Sequence, residues 1–139
     1  MKILLPVDGS PLGAQALGAV EALCAREPGS SVEVLEVLDP LAAVGPLQFL
    51  LKESRAEHYV ADQVAILEEH GILATSEVAF GAPARKIISR AVAGGFDCVC
   101  MASRGRSGLA RAWSGSVTDE VIRDLHVPVM VVRPKPVNN

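Results

Sequence analysis

Short apolar runs alternate with amphipathic helical stretches along the whole chain, and this alternation limits the folds that the chain can adopt. Predicted strands cover residues 3–7, 31–38, 72–80, 97–102 and 127–132. Between these strands, apolar residues recur at helical spacing, and glycine or proline marks the junctions. Strict alternation of this kind predicts an α/β fold, a three-layer α/β/α sandwich with a five-stranded, mainly parallel sheet and right-handed crossovers.

Composition narrows the class of protein further. The 139 residues contain no linker-like segment, so we expect one domain over residues 1–139. A net charge of −3 argues against a general nucleic-acid-binding protein, because such domains carry a strongly basic face. No apolar stretch approaches the roughly 20 residues that span a bilayer, and the N-terminal run is too short for a signal peptide. We therefore expect a cytoplasmic protein without membrane contact, whose three cysteines are reduced core thiols.

A segment rich in glycine, serine and arginine lies between the fourth predicted strand and the last predicted helix. It contains Arg104 and Gly105, then nine residues, then Gly115 and Ser116. Ser116 and Asp119 fit the capping-box pattern, so backbone N–H groups at this helix start should be unpaired. A helix N-terminus favours anions, and glycine allows close approach of the backbone to a ligand. The segment predicts a phosphate-binding loop, with a plain connecting loop as the alternative.

Asp8 follows directly after the first predicted strand. In open parallel sheets, ligands bind at the carboxyl ends of the strands where the strand order reverses. We expect Asp8 and the glycine segment to converge at one such crevice. The alternative is that Asp8 belongs to a helix-entry turn in which Ser10 caps the first helix. In the second strand, Glu33 and Glu36 are expected to be exposed to solvent.

Three motifs taken together resemble the universal stress protein family. They are Pro6-Val7-Asp8-Gly9-Ser10, Val37-Leu38-Asp39, and the glycine segment that runs into the final strand Val127-Pro128-Val129-Met130-Val131-Val132. The resemblance covers essentially the whole chain. The ATP-binding branch of that family carries Gly, two residues, Gly, nine residues, Gly, then Ser or Thr. This chain meets the last three positions with Gly105, Gly115 and Ser116, and departs at the first, which is Ala102.

The resemblance implies a Rossmann-like sheet of strand order 3-2-1-4-5 that binds ATP, or the related ADP or AMP. It implies that Pro6, Val7 and Asp8 lie beside the nucleoside, and that the backbone of Val37 bonds adenine while Met101 lines the base pocket. Around ribose and phosphates it implies Ala102, Arg104, Gly105, Gly115, Ser116 and Val117. A Mg²⁺ or Mn²⁺ ion would reach Asp8 only indirectly, through the nucleotide phosphates.

Members of this family are typically homodimers, and the last predicted strand suits that role. It is apolar and lacks charged residues, so as an edge strand it would invite pairing with another chain. Pro128 fits a strand start or an edge. We expect a twofold dimer through residues 127–133, from Val127 to Arg133.

Three functions remain open at this point. The resemblance favours a homodimeric stress-response regulator that holds an adenine nucleotide. The alternatives are an interaction module without nucleotide, and a very slow ATP hydrolase. No Gly-x-x-x-x-Gly-Lys motif, His-Glu-x-x-His motif or Gly-x-Ser-x-Gly elbow occurs in the sequence, so no dedicated catalytic residue is predicted and an enzyme is left undecided.

Overall fold

The computed structural model describes residues 1–11, 13–42, 45–102 and 115–133. The strands are β1 (Lys2–Val7), β2 (Ser31–Leu38), β3 (Leu73–Phe80), β4 (Cys98–Ala102) and β5 (Val129–Val132). The helices are α1 (Gly13–Arg26), α2 (Pro46–Glu69), α3 (Pro83–Ala93) and α4 (Gly115–Asp124), with a short 3₁₀ turn at Pro40–Ala42. The sheet order is β3-β2-β1-β4-β5 and neighbouring strands are parallel, which confirms the predicted fold.

Helices cover both faces of the sheet, so its two central strands are buried from both sides. All five residues of β4 and all but the first residue of β1 are buried. Alternate side chains of each strand enter two different apolar clusters. The first cluster lies under α1 and α2, and the second lies under α3 and α4. This two-sided burial explains why the strands read as nearly continuous apolar runs in the sequence.

Glycine ends the long helix α2 as its sequence predicts. Gly71 has φ +75°, which side chains with a Cβ rarely adopt. Its N–H donates to the carbonyl of Glu68, and the N–H of Ile72 donates to the carbonyl of Leu67. The chain therefore reverses direction at once and enters β3. No helix in the described part of the chain is long and apolar enough to cross a membrane.

The expectation that Glu33 and Glu36 are exposed is wrong. The two residues lie three apart in β2 and therefore point to opposite faces of the sheet. Glu33 accepts two hydrogen bonds from the Arg90 guanidinium of α3, at 2.7 and 2.6 Å, and Arg90 also contacts Glu77 at 3.3 Å. Glu36 is only 7% exposed. Because helices cover both faces of the sheet, both carboxyl groups are removed from water, and each needs either a bonding partner or a neutral state.

The three cysteines are buried free thiols, as predicted. Burial raises the pKa of the Cys24 and Cys98 thiols and raises the pKa of Cys100 to about 12. These thiols stay protonated at neutral pH and serve as small apolar core residues.

Candidate functional site

The end of β1 turns sharply through Asp8, Gly9 and Ser10 before α1 begins. Gly9 has φ +78°, and the backbone N–H of Ser10 donates to Asp8 Oδ1 at 2.9 Å. The carbonyl of Ser10 accepts from the N–H of Gly13 at 3.1 Å and from the Tyr59 hydroxyl at 3.2 Å. One oxygen of Asp8 is therefore used by the turn itself. The other, Oδ2, is buried and has no hydrogen-bond partner among the described residues.

The predicted cap at Ser10 is wrong. Helix α1 begins at Gly13, and the Ser10 hydroxyl is buried without a hydrogen-bond partner in the described part of the chain. The Asp8 side chain organises this turn instead, because a carboxylate can bond the backbone two residues further on. Asp8 thus has the structural role in the helix-entry turn that was the alternative expectation. Its second carboxyl oxygen is left for another group.

A second carboxyl group, that of Glu36, lies against the same turn. Glu36 pairs with Val7 in the β1–β2 register, and both of its carboxyl oxygens lie 3.7 Å from the position that a Cβ on Gly9 would occupy. Burial, and secondarily the negative charge of Asp8, raises the pKa of Glu36 to about 7. Burial and the charges of Asp8 and Glu36 also raise the pKa of Tyr59 to about 12. The Tyr59 hydroxyl therefore keeps its proton and remains a donor.

The end of β4 lies beside the end of β1. Leu4 pairs with Val99, and the same offset carried along both strands brings Val7 level with Ala102. Both of these side chains belong to the cluster under α1 and α2. None of the described residues other than glycine has a positive φ, so the backbone at Ala102 carries no strain from its side chain. The departure from the glycine pattern is thus a methyl group packed into the core.

Three of the predicted nucleotide contacts meet on the other face of the sheet. Val37 and Met101 are buried in the cluster under α3 and α4, and Val117 packs against the same cluster. Val37 is at the end of β2, Met101 is at the end of β4, and Val117 lies in the first turn of α4. The structure therefore brings together residues far apart in the sequence at the carboxyl edge of the sheet. Their contacts with a base stay predictions.

Helix α4 begins two residues earlier than predicted, at Gly115, so Ser116 lies within its first turn and not at its cap. Thr118, in the same turn, is buried, and its hydroxyl oxygen has no hydrogen-bond partner among the described residues. Arg104 and Gly105 lie outside the described residues, so their predicted phosphate contacts stay predictions.

Comparison with known proteins gives the family. The sequence pattern of the universal stress protein family matches residues 1–133. The chain belongs to the universal stress protein family. It is 33% identical to the universal stress protein MJ0531 of Methanocaldococcus jannaschii over 95% of this chain and 81% of that protein. It also resembles the structure of the MJ0577 protein at a TM-score of 0.81 and 30% identity, over 97% of this chain and 96% of that one.

Some structures with the same fold contain adenine nucleotides. A family protein from Arabidopsis thaliana, solved with AMP bound, has a TM-score of 0.75 and 16% identity over 99% of this chain and 97% of its own. Other family members were solved with dAMP, from Archaeoglobus fulgidus, and with cAMP. These are properties of those proteins, and at such low identity the likeness to this chain concerns the fold.

Sequence reasoning missed three residues of the site: Glu36, Tyr59 and Thr118. For Glu36 a signal exists, because two glutamates three apart cannot share one face of a strand. Tyr59 carries no such signal, since its contact with Ser10 depends on how α2 crosses the sheet. Thr118 could have been found from the helical spacing that places it three residues before the buried Val121.

A separate cleft of about 480 Å³ lies at the opposite, amino edge of the sheet. Glu21, Cys24 and His70 are among the residues that line it, and His70 Nδ1 lies 2.7 Å from Glu21 Oε1. The raised pKa of the Cys24 thiol leaves it protonated and weakly nucleophilic. No group of three histidine, cysteine or acidic residues in the described ranges could hold a metal ion.

Proposed function

We propose that this universal stress protein binds an adenine nucleotide, with ATP as the first candidate and ADP or AMP as the relatives, and acts as a homodimeric stress-response regulator. The observation that carries the proposal is the buried, unpartnered Oδ2 of Asp8 at the carboxyl end of β1. Buried polar atoms are nearly always hydrogen-bonded, so an orphaned oxygen at a strand end calls for a further group.

Two further observations support a ligand at this edge. The Thr118 hydroxyl in the first turn of α4 is also buried and unpartnered within the described part of the chain. The ends of β1 and β4 are neighbours in the sheet, at the point where the strand order reverses. Hydroxyl and carboxylate oxygens suit the polar atoms of a nucleoside, and the α4 N-terminus suits its phosphates.

The nucleotides held by related structures give the ligand class. AMP, dAMP and cAMP share adenine and one phosphate group. Val37 and Met101 supply apolar surface at the same edge, as a base requires. In this proposal Pro6, Val7 and Asp8 contact the nucleoside, and Gly115, Ser116 and Val117 lie near the phosphates. A Mg²⁺ or Mn²⁺ ion would neutralise phosphate charge and would contact Asp8 only through the nucleotide.

Replacing Asp8 with alanine should weaken AMP and ATP binding by about tenfold or more, because a buried charged hydrogen-bond acceptor is lost. Isothermal titration calorimetry with each nucleotide, with and without Mg²⁺, measures this change. Asp62→Ala is the matched control, since Asp62 is exposed on α2, and it should bind as the unmodified protein does. Mass spectrometry of ligand released from the purified protein identifies the resident nucleotide. Unchanged affinity in Asp8→Ala would return Asp8 to a purely structural role.

We propose that the homodimer forms through β5, which is one edge of the sheet and has half-buried side chains throughout. A charge on such an edge opposes pairing with a second chain. Val131→Lys should therefore shift the protein from dimer to monomer in sedimentation-velocity experiments at micromolar concentration. Val92→Lys, at a valine of α3 that is 66% exposed, is the control and should leave the dimer intact. A dimer that survives Val131→Lys would place the interface elsewhere.

The single domain over residues 1–139 and the cytoplasmic location stay predictions. The two alternatives, an interaction module without nucleotide and a very slow ATP hydrolase, stay predictions as well, because no contact of the described residues at this edge favours either over nucleotide binding.

A further inference from the structure

The carboxyl group of Glu36 is a buried feature of the site that nucleotide contacts do not explain. Glu36 is 7% exposed, and its Oε1 has no hydrogen-bond partner among the described residues. Its two carboxyl oxygens lie under Gly9, the central residue of the turn that presents Asp8. The Glu36 carboxyl group therefore packs against the same turn that bears the unpartnered Asp8 oxygen.

The groups that face Glu36 provide no compensating positive charge in the described part of the chain. From the end of β1 it faces the negative charge of Asp8, and from α2 the hydroxyl of Tyr59, which already donates to Ser10. On β3 its register partner is Val78. The carboxyl group thus has two states: neutral and packed, or ionised and in repulsion with the nearby Asp8.

We propose that Glu36 is a positioning residue that holds the Asp8–Ser10 turn in its ligand-binding geometry only while the Glu36 carboxyl carries its proton. Ionisation places a second negative charge in a buried site and pushes the two carboxylates apart. Gly9, which follows Asp8 in the turn, lies against the Glu36 carboxyl group and is exposed, is the point at which the turn yields. Nucleotide affinity then depends on a proton that is lost near neutral pH. This inference rests on the proposed nucleotide function.

The first experiment measures AMP affinity by calorimetry between pH 6 and pH 8. In the unmodified protein, affinity should fall by about fivefold or more as the pH rises, within the limit of tenfold per pH unit for one linked proton. Glu36→Gln keeps the shape of the neutral carboxyl and should show only the pH dependence that the AMP phosphate itself contributes, so the difference between the two profiles isolates Glu36. Glu33→Gln, on the opposite face of β2 and paired with Arg90, should keep the original profile.

The second experiment observes the turn without any nucleotide. Tyr59 is the only tyrosine of the chain, so protein labelled with ¹³C-tyrosine gives one set of ring signals. These signals should shift with a midpoint near pH 7 in the unmodified protein and in Glu33→Gln, but not in Glu36→Gln. The ring reports on the turn because its hydroxyl bonds Ser10.

The outcomes separate the two proposals. Absence of AMP binding in every protein at every pH contradicts the nucleotide function, and the tyrosine titration then decides the role of Glu36 alone. Equal pH profiles for the unmodified protein and Glu36→Gln, in binding or in the Tyr59 signals, overturn the inference. If Glu36→Gln does not fold, the Tyr59 titration of the unmodified protein decides the role of Glu36. Ring signals that do not shift across pH 7 then overturn the inference.

Discussion

Replacing Gly13 with alanine is expected to destabilise the protein by about 2 kcal/mol, a typical cost of forcing an extra carbon into a packed site. Gly13 is the first residue of α1, and a Cβ built there overlaps the Tyr59 hydroxyl oxygen. That hydroxyl is held in place by its hydrogen bond to Ser10. Either the tyrosine or the start of α1 must move. Chemical denaturation of the variant at fixed pH measures the loss.

The same helix provides the control. Gly18 lies exposed in the middle of α1, and a Cβ there meets nothing within 4 Å. Gly18→Ala should therefore stabilise the protein by up to about 1 kcal/mol, the difference in helix propensity between glycine and alanine. A loss of stability in Gly13→Ala together with a gain in Gly18→Ala would show that the loss comes from the close approach at Gly13 and not from a general effect of alanine.

Removing the hydroxyl should relieve the clash. Without that oxygen, the nearest atoms to a Cβ at Gly13 are Tyr59 Cζ at 3.5 Å and Val7 Cγ1 at 3.8 Å, which are ordinary contacts. Tyr59→Phe alone should cost about 1 kcal/mol through the lost hydrogen bond. The double variant, with both Gly13→Ala and Tyr59→Phe, should lose less stability than the sum of the losses in the two single variants. Simple additivity would show that the tyrosine does not constrain the start of α1.

The apolar pattern predicts this fold well because burial on both faces of the sheet leaves a clear trace in the sequence. Continuous apolar strands, amphipathic helices and glycines such as Gly71 with φ +75° fix the element order and the helix ends. The strand order came from the resemblance to a family, since periodicity alone does not say which strands pair. The correction at α4 is two residues, the usual uncertainty of a helix boundary.

The candidate site was predictable where it follows from strand ends, and unpredictable where it depends on tertiary contacts. Asp8 follows the last residue of β1 and Val37 is the last but one residue of β2, so their position follows from the alternation. The failure at Ser10 has a physical cause, because the Asp8 carboxylate satisfies the turn and α1 starts later than the sequence suggests. The failure at Glu36 comes from treating a strand of a covered sheet as if one face met water.

The stability of the protein should fall by about 3 kcal/mol between pH 4.5 and about 7 through Glu36 alone. The pKa of this group is raised from 4.5 to about 7 in the folded chain, chiefly by burial. The folded state therefore binds the proton more tightly than the unfolded state does, and each unit of the difference corresponds to about 1.4 kcal/mol. The stabilisation is fully present below pH 4.5 and is lost as the pH rises through 7.

Subtraction isolates this contribution from the other titrating groups. Urea unfolding of the unmodified protein and of Glu36→Gln, at steps from pH 4.5 to 8, gives two curves whose difference contains the Glu36 term. The unmodified protein should lose stability relative to Glu36→Gln over this range, and the difference should level off towards pH 8. Glu33→Gln, on the opposite face of β2 and bonded to Arg90, should show no such divergence. Parallel curves throughout would mean that Glu36 is ionised in the folded protein, because a carboxyl with the same protons bound in both states contributes no pH dependence.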